Sequence, residues 1–87
     1  MSLARTNDEP VVEGVAVRFD MSNGKRTITC WIRAAALEKL ESNPRLAPEQ
    51  YLDAFGRHQQ ALEAAANRIF ERGLLDGPNI VIRKENV

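Results

Sequence analysis

The stretch that decides the fold is "VVEGVAVRFDMSNGKRTITCWIR", residues 11–33. Apolar and polar residues alternate on both sides of "SNGK", as they do in strands with one buried face. Asn23-Gly24 is a strong short-range hairpin signal, because both central residues of a type I′ turn need positive φ. A two-residue turn there sets Ser22 opposite Lys25. It then pairs Phe19 with Ile28, Val17 with Cys30, and Val15 with Ile32, all six on one face. A slip of one residue would scatter them over both faces, so turn chemistry and hydrophobic pattern agree. Cys30 is thereby directed inward between two isoleucines. On the other face Arg18 is expected opposite Thr29, Ala16 opposite Trp31, and Lys25 on the same side as Arg18.

Outward from this hairpin the period changes. "RAAALEKLES" carries strong helix formers, with Leu37 and Leu40 three apart and charged residues outward. No capping residue marks its start, and Pro44 ends it by pushing Asn43 out of helical geometry. A longer helix opens at Pro48, which suits the first helical position, and closes at Gly73 as its C′ residue. Tyr51, Leu52, Phe55, Leu62, Ala66, Ile69 and Phe70 share one arc of roughly 100°. At 1.5 Å per residue this helix would be about 37 Å long, against a compact diameter of roughly 31 Å. It therefore breaks, with Gly56 the candidate point, or overhangs the sheet. "DGP" is a turn, and "NIVIRK", residues 79–84, reads as a third strand.

The expected fold is two-layer α+β in the order ββααβ: a small antiparallel three-stranded sheet with two helices on one face. Residues 1–10 are polar without periodicity and read as a flexible N-terminal arm, leaving residues 11–87 as a single domain.

Composition narrows the functions. Of 87 residues, 44% are apolar and 28% charged, and basic and acidic residues number 12 each, so no global field draws in nucleic acid or an anionic membrane. One cysteine and one histidine exclude an intrachain disulfide, a multi-cysteine metal site and paired-histidine ligation. No cofactor or metal is implied: the glycines form no phosphate-binding loop. The opening "MSLARTNDEP" has no apolar segment of a signal peptide, and no run approaches a membrane span. The free thiol suits a reducing compartment, so a cytoplasmic location is expected.

The segments "ITCWIRAAAL" and "FGRHQQALEAAANRIF" resemble a bacterial family of small proteins of unknown function called DUF1488. Shared features are an apolar-x-Cys-x-apolar strand running into an Ala-Leu helix, then a Phe-containing helix with an Arg or polar cluster and a following alanine. The resemblance covers most of residues 12–84. It implies a compact two-layer α/β fold and carries over no catalytic residue.

Three functions compete. The first is a non-catalytic protein-interaction or accessory module, with an unidentified protein partner and Trp31, Arg18 and Lys25 as its candidate surface. A homodimer is a candidate assembly, since the alanines of the long helix and an open sheet edge could accept a second copy. The second is a thiol-dependent enzyme or small-molecule site using Cys30 with His58. An inward thiol between aliphatic residues is inert, which favours packing over chemistry. The third is weak single-stranded nucleic-acid binding through Arg18, Lys25 and Trp31, for which one stacking aromatic is thin. The carboxylates Glu38/Glu41 and Glu49/Asp53 read as solvated helix surface.

Overall fold

The computed structural model describes residues 3–87. Five strands form one sheet: β1 (Ala4–Arg5), β2 (Val11–Glu13), β3 (Ala16–Ser22), β4 (Thr27–Arg33) and β5 (Ile80–Ile82). Between β4 and β5 lie α1 (Ala34–Glu41), a 3₁₀ turn at Pro48–Gln50, α2 (Tyr51–Arg57) and α3 (Gln59–Glu71). Both β1 and β2 pair antiparallel with one edge of β3, β4 takes the other edge, and β5 lies parallel to β4. The expected three-stranded antiparallel sheet with two helices is thus corrected to a mixed five-stranded sheet with three α-helices.

Some of these corrections have a local cause. "VVEGVAVRF" is two strands, because Gly14 takes φ +61° and folds the chain back at Gly14-Val15, pairing Val12 with Val17 and Glu13 with Ala16. Glycine visits that conformation without steric cost. Within the expected arm, Leu3 is buried, Ala4 and Arg5 pair with Ser22 and Met21, and Arg5 forms an ion pair with Glu63. Residues 1–2 lie outside the described residues.

The central hairpin is shifted by two residues from the expected register. Phe19 pairs with Cys30, Met21 with Ile28, and Val17 with Ile32. The bend centres on Gly24-Lys25: Gly24 alone takes positive φ, at +91°. Asn23 stays out of that region and uses its side chain instead, its Oδ1 accepting from the backbone N–H groups of Lys25 and Arg26. A shift of two preserves the alternation of faces, so Val17, Phe19, Ile28, Cys30 and Ile32 remain buried. Met21 joins them, and Val15, expected inside, is exposed in the first bend.

The helix starting at Pro48 is broken one residue after α2, at His58 (φ −115°, ψ 17°), two residues beyond Gly56. The path from β4 to β5 thus has three helical segments rather than two. It re-enters the sheet beside Cys30, so that Ile80–Ile82 run parallel to Cys30–Ile32. Parallel neighbours require such a crossover. α3 closes as expected at Gly73 (φ +66°): Leu74 N–H donates to the Ile69 carbonyl and Gly73 N–H to that of Phe70, the paired pattern of a Schellman motif. Leu74 itself stays exposed. The break also rotates the helical stripe, leaving Leu52 exposed while Ala54 and Ala65 are buried beside Tyr51, Phe55, Leu62, Ala66 and Ile69.

All helices cover the same side of the sheet. Phe19 and Phe55 meet there with ring centroids 5.1 Å apart and planes tilted by 56°, a favourable aromatic geometry. No described helix is long and apolar enough to cross a membrane.

Candidate interaction surface

Alternation along the strands sends every second side chain away from the helices. β3 contributes Ala16, Arg18, Asp20 and Ser22, and β4 contributes Thr27, Thr29, Trp31 and Arg33. None of these is buried. The shift in register brings Arg18 directly opposite Trp31, whereas the expected pairing set it against Thr29. Val11 flanks Arg18 on β2, and Val81 flanks Trp31 on β5. One row across four strands therefore reads Val11, Arg18, Trp31, Val81. At one end of the face an open depression of about 380 Å³ is lined by Val15, Ala16, Trp31, Val81 and the polar side chains of Glu13, Arg33, Asp76 and Asn79.

The charge of this face is mixed rather than basic. Arg18 is ion-paired with Glu13, two residues along β2 from its neighbour Val11, and Asp20 adds a carboxylate on β3 itself. Lys25, expected beside Arg18, sits in the bend at the far tip, held through its backbone N–H by Asn23. The three surface residues singled out by sequence thus resolve into a pair, Arg18 and Trp31, and an isolated Lys25. Asp76, which lines the depression, pairs with Arg83.

The thiol and the imidazole are held in separate environments. Cys30 has no solvent exposure, and its Sγ–H points at the Ile28 carbonyl 3.7 Å away. Burial, assisted by the negative charge of Asp20, pushes its pKa up to about 12. Only the thiolate is a strong nucleophile, so this sulfur is both sealed and protonated. His58 faces α1: its Nε2 lies 2.7 Å from Oε2 of Glu41.

Glu41 also accepts from the Arg57 guanidinium through both of its carboxylate oxygens. Its carboxyl is held down at about 2, first by the hydrogen bonds from Arg57 and then by that from His58. From the sequence Glu41 is expected on a solvated helix surface. The structure makes it the tie between the last turn of α1 and the break between α2 and α3. The spacing of α1 residues alone could not reveal this, because both partners come from a helix end 16 and 17 positions away. Fastening the break accounts for all three side chains. Glu63 performs a similar task on α3, gathering Arg5 and Gln59. Asn67, one turn on, exchanges hydrogen bonds with the Leu3 backbone. Among the described residues no group of three or more His, Cys, Asp or Glu side chains is arranged to hold a metal ion.

Comparison with known proteins adds the fold and the family. A crystal structure of a protein of unknown function from the DUF1488 family of Shewanella loihica PV-4 superposes with a TM-score of 0.81, covering 93% of this chain and 91% of that one at 23% identity. At that identity the likeness speaks for the fold. No match is found among curated proteins. The family model described as "Protein of unknown function (DUF1488)" matches residues 9–80, which include the central hairpin, the broken helix and the start of β5. The chain therefore belongs to the DUF1488 family, whose function is unknown.

Proposed function

We propose that this domain is a non-catalytic interaction module that holds a protein partner on the outer face of its sheet. One observation carries the reading: the helices cover one face only, and the other leaves Trp31 half-exposed between Arg18 and Val81 beside an open depression. Aromatic residues and arginine are enriched where partners dock, because they bring large contact area and directional hydrogen bonds together. The competing thiol chemistry has less support, since Cys30 is sealed and its acidity suppressed. Nucleic-acid binding likewise loses support where Arg18 is already neutralised by Glu13 and Lys25 stands apart. A free, buried cysteine is compatible with a reducing compartment, and we place the protein in the cytoplasm on that ground.

The test is capture with the tagged chain from a lysate of its native cell, comparing wild type with Trp31→Ala. A specific protein retained by the first and lost by the second is the expected result. Partners held equally well by both would remove this face from the reading.

A further inference from the structure

We infer that the outer face of the sheet pairs with the same face of a second copy of this chain, about a two-fold axis running along the strands between β3 and β4. This rests on the interaction reading above and names its partner. Three strand pairings fix the order of side chains in the central row as Val11, Arg18, Trp31, Val81. A two-fold axis along the strands reverses that order in the facing copy. Val11 then meets Val81, and Arg18 lies over the ring of Trp31 in both directions, a cation–π contact made twice. In the next row Glu13, Ala16 and Arg33 are neighbours. Reversal brings Glu13 within about one strand spacing, roughly 4.8 Å, of Arg33 in the other copy. Arg33 has no ion pair among the described residues, so its charge is available.

The alternative two-fold axis, across the strands, sets Arg18 against Arg18 and Trp31 against Trp31, and so forgoes both cation–π contacts. Charge and aromatic order therefore select one geometry. Aligned sheets pack with their strands about 30° apart, and the contacts nearest the axis, Arg18 with Trp31, are the least disturbed by that rotation.

The footprint bounds the affinity. Four strands at about 4.8 Å and seven residues at about 3.3 Å give roughly 450 Å² per copy, below the roughly 800 Å² of a standard interface. Self-pairing is accordingly weak and concentration-dependent.

Sedimentation equilibrium up to about 1 mM, where a Kd near that value populates the pair substantially, tests it. The expected mass rises from the 9.7 kDa chain toward twice that value. Trp31→Ala weakens association by about tenfold, the equivalent of one to two cation–π contacts. Glu13→Arg and Arg33→Glu each weaken it alone, and an equimolar mixture of the two chains restores it, because both contacts then unite opposite charges. Circular dichroism verifies folding, and the exposed Glu13 and Arg33 carry the test should Trp31→Ala not fold. A monomer at every concentration overturns the inference, as does a pair indifferent to Trp31→Ala or a mixture that fails to recover. A wild-type monomer whose lysate partner is still lost on Trp31→Ala overturns self-pairing alone and leaves the interaction face standing. Association that meets these expectations without any other captured partner supports the inference.

Discussion

The two faces of the sheet are made by the same backbone, one residue out of phase, and they obey different rules. Inward, Val17, Phe19, Met21, Ile28, Cys30 and Ile32 interlock with Leu37, Phe55 and Leu62 in one buried cluster. Outward, Ala16, Arg18, Thr29 and Trp31 remain partly open to water. Cys30 and Trp31 show the contrast at its sharpest. They are adjacent in sequence, yet one is fully buried and the other half-exposed. The lesson is that a chemically suggestive residue has to be judged by the face it occupies.

The largest break in that contrast is expected from Phe55→Ala. It removes the ring tilted against Phe19, and large-to-small changes of buried aromatics cost about 3–5 kcal/mol, measurable as a lowered urea midpoint. Next is the alkaline response of the inward face. The Cys30 pKa is raised from 9.0 to about 12 in the fold. The unfolded chain therefore loses its proton first, and stability from this thiol, complete below pH 9, is lost as pH rises toward 12. Unfolding curves of wild type and Cys30→Ala across that range should converge as pH rises; parallel curves would deny the burial of the sulfur.

A smaller effect tests the bend that aligns the outer face. Gly14→Ala puts a side chain at φ +61° with nothing within 4 Å of the new Cβ. Only conformational strain is added, about 1–2 kcal/mol. Gly56→Ala, in open helical space, should instead stabilise by up to about 1 kcal/mol, giving opposite shifts in thermal midpoint. Least of all is the stability change from Trp31→Ala, under about 1 kcal/mol, although the same variant should have the largest effect on association. A collapse in stability comparable to Phe55→Ala would mean that the outer face is part of the core.

The helical layer has its own acid signature. Glu41 is held at about 2, below its ordinary 4.5, so the stability it contributes is present above pH 4.5 and lost as pH falls toward 2. Glu41→Gln should flatten that part of the acid unfolding curve; an unaltered curve would show that Arg57 and His58 do not hold it.

Much of this was legible in residues 11–33 because alternation depends only on neighbours. A two-residue error in register left every inward strand residue except Val15 in place, since side-chain direction repeats every two positions. The ends of the long helix were legible for a similar reason: Pro48 and Gly73 act through their own backbone geometry. Gly14 carried a readable signal that the smooth alternation around it concealed. The burial of Leu3, the pairing of Ala4 with Ser22 and the tie between Glu41 and His58 had no local signal at all.

The amino-acid sequence by itself determined that Val17, Phe19, Ile28, Cys30 and Ile32 turn inward and that the long helical stretch opens at Pro48 and closes at Gly73, because these follow from periodicity and backbone preference over a few residues. Tertiary structure alone decided that β5 runs parallel to β4, that the N-terminal residues complete the sheet, and that Arg18 stands opposite Trp31. Each of those depends on which distant segments meet, and closing the chain between them is governed by packing and path length rather than by any residue's own preference.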